Sequence, residues 1–270
     1  PKSLRLTKNR PYSVAPDAPS FVRELREVGN YRTVVVGKTH WSPHNKPGDL
    51  RDNLPLLRAL GFDHAREIAG QRAMQRMESE LTDRLREAGV LEDYRADLQD
   101  RYASRRAHCV RPSVLPDALY PDLWLTGVAK EELTSLPDDR PWLLWVSFVG
   151  PHEPFDTPHP WHGRHQANEL PPAKPRPAWL TALPENCELQ QCVRNWDGLI
   201  SQDQIQDCRE DYADHLSLLD DQVQRLLNRL ERRPDQLNTA VLATADHGEM
   251  LGDGGMLYKG SFLEGAIRVP

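Results

Sequence analysis

The chain holds 270 residues, 39% hydrophobic and 27% charged, a balance that suits a globular protein with a substantial core in one large or two smaller domains. A formal net charge of −6 argues against a general nucleic-acid binder, which usually shows a basic face, and no apolar run approaches the roughly 20 residues of a membrane helix. Cys109, Cys187, Cys192 and Cys208 have no metal-finger spacing, so disulfides and free thiols both stay open, as does the compartment of a chain that starts at Pro1.

Asp17-Ala-Pro-Ser ahead of Phe21, Val22, Leu25 and Val28, with Gly29 behind them, predicts a capped helix. Val34–Val36 predicts a strand that stops at Gly37-Lys38-Thr39-His40-Trp41. Residues 42–71 read as surface loop. Met74, Met77, Leu81, Leu85 and Ala88 form one helical stripe from Arg72 to Ala88, with core packing the simplest use of its methionines. The charged stretch from Glu92 to Arg106 reads as a solvated face or loop.

Asp117 to Leu136 predicts a helix that kinks or starts late at Pro121. The run Trp142 to Val149 is the strongest strand signal, and it ends at Gly150-Pro151-His152-Glu153-Pro154. Nine of the 23 prolines lie between there and Pro184, which excludes a helix and predicts a long loop, well placed to read a substrate. Its His159, His162 and His165 read as solvated rather than metal-bound.

Leu216, Leu219, Val223, Leu226, Leu227 and Leu230 predict an amphipathic helix from about Ile205 to Arg232, ended by Pro234. Asp220 and Asp221 within it read as a solvated face rather than a metal pair. Ala240 to Ala245 predicts a third buried strand, stopping at Asp246-His247-Gly248-Glu249 before a glycine-rich loop that carries Lys259.

Three expected strands thus end in polar chemistry: Lys38 and His40, then His152, then Asp246 and His247. Open α/β sheets gather ligands at the carboxyl ends of their strands. If Lys38 and His40 stay extended, they face one side about 7 Å apart. Fixed positive charge, proton-transferring imidazoles and an adjacent carboxylate–imidazole pair suit an anionic substrate whose transition state spreads charge over several oxygens. Sulfate and phosphate esters are the obvious class.

The segments GNYRTVVVGKTHW, WVSFVGPHEPFDTP, YADHLSLLDDQVQRLL and ATADHGEMLGDGGMLYKGSFLEGAIRVP, in that order from about Ala18 to Pro270, resemble the type I sulfatase family of the alkaline phosphatase superfamily. The resemblance implies an α/β sandwich with a largely parallel central sheet and helices on both faces. It makes residues 1–270 a single catalytic domain, incomplete at both ends. Asp246 and His247 match two ligands of the family's divalent cation, usually Ca2+, with Mg2+ or Mn2+ possible. Lys38 matches the lysine between nucleophile and sulfate, and His40 the histidine that assists the formylglycine nucleophile. His152 matches the histidine that binds sulfate and protonates the leaving oxygen, and Lys259 the second lysine on the sulfate oxygens.

The departures are as specific. The family's two adjacent aspartates and its Cys- or Ser-x-Pro-x-Arg motif are absent, and Cys109-Val-Arg-Pro-Ser has proline and arginine in the wrong order. Gly254 stands where many relatives carry histidine. The segment alone is therefore expected to be inactive, with the formylglycine and further ligands supplied from upstream. The implied partners are a small-molecule or carbohydrate sulfate ester and a formylglycine-generating maturation enzyme. A phosphodiesterase or phosphonate monoester hydrolase of the same superfamily, or a catalytically silent oxyanion-binding member, remains the alternative.

Overall fold

The computed structural model describes residues 13–103, 108–166 and 169–270. Helix α1 (Phe21–Glu27) is capped by Ser20 rather than Asp17, the Ser20 hydroxyl accepting from the Arg23 amide. Strand β1 (Arg32–Lys38) follows, then the short strand β2 (Gly48–Asp49), helix α2 (Leu54–Ala59) and strand β3 (His64–Ile68). Residues 42–71 are thus not loop throughout. The sequence HAREI hides β3 because its burial comes from pairing with β1 rather than from an apolar run.

The stripe from Arg72 to Ala88 is broken into helix α3 (Gln71–Met74), strand β4 (Met77–Glu78) and helix α4 (Glu80–Glu87). Ser79 restarts the helix by a capping box with Thr82, satisfying amides that a continuous helix would have bonded internally. The charged stretch after it is no loop either. It forms helix α5 (Leu91–Arg101), which buries Leu91, Tyr94 and Leu98 at helical spacing; residues 104–106 of that stretch lie outside the described residues. Arg101 is fully buried too, bonded to Asp97 at 2.6 Å and to the carbonyls of Arg111 and Pro112 at 3.0 Å.

Helix α6 (Pro121–Ser135) begins at the proline, where a missing amide costs nothing. Strand β5 (Trp142–Ser147) completes the sheet, in the order β3-β1-β5 with every pairing parallel. Val34 and Val36 of β1 pack with Leu125, Val128 and Leu133 of α6 on one face. Val35 packs with Val22, Leu57 and Phe62 on the other. A strand buried on both faces is the centre of a helix-covered parallel sheet, the expected α/β class.

Beyond β5 the proline-rich segment is loop as far as Gln166, and the one-turn helix α7 (Ala178–Thr181) then forms, which the prolines did not prevent. Helix α8 (Glu188–Arg194) and the long helix α9 (Gln202–Leu230) follow. Leu226 and Leu230 of α9 pack against the α6 cluster, whereas Leu216 and Val223 of the expected stripe are exposed. Asp211, Asp214 and His215 are buried in their place. Cys109, Cys187, Cys192 and Cys208 are all free thiols, and no helix among the described residues is long and apolar enough to cross a membrane.

The third expected strand does not form. Ala240 to Ala245 has no regular structure and no ladder pairing, with Val241 61% and Leu242 89% exposed. An apolar run becomes a strand only beside a hydrogen-bonding neighbour. Among the described residues no strand pairs with it; the Thr244 hydroxyl donates to the Pro270 carbonyl at 3.3 Å. The glycine-rich loop after it ends in helix α10 (Glu264–Ile267).

Candidate active site

The register aligns the carboxyl ends of the strands, pairing Lys38 with Ile68 and Gly37 with Ser147. Chain order β1, β3, β5 against spatial order β3-β1-β5 means that the chain leaves β1 to one side and later returns on the other. The crevice of a doubly wound sheet opens at such a reversal, here between the ends of β1 and β5. Lys38 closes β1 at that point. Gly37 ahead of it has φ 104°, and a side chain there would run into the Ser147 carbonyl oxygen at 2.0 Å, so only glycine lets the two strands close up.

A buried clamp fixes the exit from β5. Asp122, on the first turn of α6, accepts from the Val149 amide at 2.7 Å and the Gly150 amide at 3.1 Å, and His215 of α9 lies 3.0 Å from its other side. Burial alone would lower the His215 imidazole, but the Asp122 carboxylate outweighs it and raises the pKa. A side chain at Gly150 would sit 2.0 Å from His215 Nε2. Two helices therefore hold the turn that delivers His152.

His152 Nδ1 lies 2.7 Å from the Glu153 carboxylate and 2.9 Å from the Glu153 carbonyl, which directs Nε2 toward the Lys259 ammonium, its hydrogen-bond partner. A carboxylate on one ring nitrogen sets which atom of the other faces the substrate. Burial works to raise the Glu153 carboxyl, yet its bond to His152 and the charges of His152, Lys259 and Arg72 hold it below the ordinary value.

Lys259 is aimed by the glycine-rich loop. Met250, Met256 and Ala266 pack on Leu180 and Val193 of α7 and α8, seating the loop. Tyr258 takes the left-handed conformation at φ 69°, strained for a bulky residue, and the Glu249 carboxylate holds its amide. Burial pushes Glu249 up to about 7, against the pull of its bonds from the Tyr258 and Leu251 amides. Burial also lowers both lysines; Lys259 lowers Lys38 further, while Asp246 and Glu153 counter. Two partly desolvated ammonium groups that repel each other form a site for an anion, which would relieve both penalties.

The remaining expected residues border this cluster. The His247 ring packs edge-on to His152 with centroids 6.1 Å apart. His247 Nδ1 is tied to the Gly248 carbonyl at 2.8 Å, which turns Nε2 to the exposed Asp246 carboxylate at 3.5 Å. His40 is open to solvent, which tempers its shift; shielding of the ring, then Lys38 and His44, lower its imidazole. His40 stacks edge-on to His44 at 5.3 Å, one step out from Lys38.

A hard divalent cation wants a carboxylate oxygen and accepts an oriented imidazole, so Asp246 and His247 fit as part of such a site. His162, Asp211 and Asp214 also bring ligand atoms within 4.8 Å of one another. Their carboxylates, however, are spent on the proline-rich loop: Asp211 accepts from the Thr157 amide and hydroxyl, and Asp214 from the Gly163 and His165 amides at 2.6 and 2.8 Å. These aspartates anchor the loop to α9.

Sequence reasoning missed Asp122, His215, Asp156 and the role of Glu153. Only Glu153, next to His152 in the PHEP motif, had a readable signal. Asp156 is fully buried; its Oδ1 accepts from the Tyr120 hydroxyl at 3.0 Å, and its Oδ2 has no partner among the described residues. Burial raises its carboxyl to about 7. The unfolded chain ionises near 3.9, so between those values the folded state binds more protons and stability falls as pH rises. Denaturant titrations at pH 4.5 and 8 should show that loss in the wild type and a smaller one in Asp156→Asn, where Glu249, also raised to about 7, still contributes.

A parallel sheet covered by helices, with its polar cluster at the carboxyl ends of the strands, is an alkaline-phosphatase-like α/β fold. The chain belongs to the sulfatase family, whose model matches residues 3–270. It is 26% identical over 255 residues to an arylsulfatase of Clostridium perfringens, covering 93% of this chain and 51% of that protein. It is 32% identical over 144 residues to a choline-sulfatase of Rhizobium meliloti, covering 48% of this chain and 26% of that one. The phosphonate monoester hydrolases of Silicibacter pomeroyi and Agrobacterium radiobacter share the fold, with TM-scores of 0.69 and 0.60 at 21% and 22% identity. These alignments cover 97% and 91% of this chain against 53% and 50% of those structures. The chain thus spans about half the length, or less, of the proteins it resembles. The family implies a divalent metal.

Proposed function

We propose that the protein is a sulfuric ester hydrolase that cleaves a sulfate monoester. The observation that carries this reading is the meeting of Lys38, His152 and Lys259 at the reversal point of the sheet. Lys38 and Lys259 would each take a sulfate oxygen and offset the charge that grows in the transition state. His152 Nε2 accepts from the Lys259 ammonium and would be freed when Lys259 turns to the sulfate. The protonated imidazolium would then donate its Nε2 proton to the departing alcohol oxygen, with Glu153 holding Nδ1. His40 would serve the nucleophile. We assign that nucleophile to a formylglycine outside these 270 residues, because no cysteine or serine here begins an x-Pro-x-Arg motif; the segment alone would be inactive. Asp246 and His247 would hold Ca2+, which supplies Lewis-acid charge to the sulfate and the nucleophile. A formylglycine-generating enzyme would be the maturation partner.

The solved structures of similar fold favour a second reading, a phosphonate monoester hydrolase built on the same anion clamp. Turnover by the full-length protein, coexpressed with the maturation system, separates the two. Sulfatase activity predicts a higher kcat/KM for 4-nitrophenyl sulfate than for 4-nitrophenyl phenylphosphonate, and the reverse order would overturn the first reading.

A further inference from the structure

A cavity of ≈ 300 Å³ opens beside Lys259, walled by Tyr258, Gly260, Trp196, Met250, Met256 and Leu257. One stretch of chain serves both places, since Lys259 turns to His152 while its neighbours on either side face the cavity. Tyr258 and Trp196 meet edge-to-face at 5.3 Å, giving an aromatic wall. The Cys192 thiol donates to the Gly260 carbonyl at 3.3 Å and ties α8 to the loop. Arg72 also lines the cavity, with the uncharged Asn195 and Ser261, and its guanidinium lies 5.1 Å from the centre of the Tyr102 ring. Its charge reaches both Lys259 and Glu153, which places it beside the anion cluster. No aspartate or glutamate among the described residues lines the cavity.

We infer that this cavity is the subsite for the alcohol side of the ester, and that it takes an aromatic ring bearing a second negative group, which Arg72 pairs. The choice follows from the lining. Aromatic and thioether surface suits a flat ring. A trimethylammonium headgroup would meet the Arg72 guanidinium in a lining that carries no acidic residue of its own among the described residues, so the resemblance to a choline-sulfatase does not carry its alcohol into this pocket. The walls come from α8 and the glycine-rich loop rather than from the proline-rich loop after β5. The inference rests on the anion site proposed above for its orientation, but the cavity can be tested by binding alone.

Calorimetric titration of the full-length protein with 4-hydroxybenzoate and with choline provides that test. Binding of 4-hydroxybenzoate, weakened about tenfold or more in Arg72→Glu and in Trp196→Ala, with no binding of choline, is the expected result. Binding of choline, no binding of 4-hydroxybenzoate, or equal affinity in the wild type and both variants would overturn it. Circular dichroism of the variants guards against misfolding, and if either is misfolded Arg72→Gln, expected to weaken binding in the same direction, replaces it. Should binding follow the expected order while aryl phosphonates are cleaved and aryl sulfates are not, the sulfatase reading fails and the subsite stands.

Discussion

Asp122→Ala is expected to cost about 3–5 kcal/mol of folding stability, the range for removing one partner from a buried charge pair. The carboxylate has no access to solvent and satisfies the amides of Val149 and Gly150 as well as His215. Its removal leaves these donors buried without an acceptor, and each such orphan is costly in the interior. Asp122→Asn keeps an acceptor oxygen and should lose less. Urea denaturation followed by circular dichroism measures both. A loss below about 1 kcal/mol for the alanine variant would mean that the clamp is not built as described. Because the clamp delivers His152, the same substitution should also depress turnover in protein that remains folded.

His152→Ala should reduce kcat of the full-length enzyme by about 10²–10⁴-fold, the range for a positioned acid–base group. The imidazole is the one expected site residue held from three directions: Lys259 at Nε2, Glu153 at Nδ1, and the edge of His247 against its ring. The loss should shrink for esters whose alcohol is acidic enough to leave without a proton, so 4-nitrophenyl sulfate should suffer less than an alkyl sulfate. Equal losses on both would assign His152 to anion binding alone. Glu153→Gln should fall between the wild type and His152→Ala, since the amide can accept at Nδ1 but carries no charge.

Abrupt endings made much of this site readable. Two of the three apolar runs that stop at polar residues, those before Lys38 and before His152, are paired strands whose ends share one edge of the sheet. The third run, Ala240 to Ala245, has the right composition but no neighbour among the described residues to pair with. Local pattern reports what a segment would bury, not whether a partner stands beside it. Strand β3 shows the converse, with few apolar residues and a full set of pairings to β1. The α9 stripe misled for a related reason: its leucines suggest the inward face, but the buried face needs Asp211, Asp214 and His215 to satisfy loop amides and a distant carboxylate. Buried polar groups are dictated by partners far along the chain, and periodicity carries no trace of them.

The central claim is that Lys38 and Lys259 form an anion clamp at the reversal point of the sheet. Calorimetric titration of inorganic sulfate into the full-length protein, into Lys38→Met and into Lys259→Met tests it without requiring turnover. The clamp predicts binding to the wild type and a loss of about 10–100-fold in each variant, the worth of a hydrogen bond to a charged group. Sulfate affinity unchanged in both variants would contradict it.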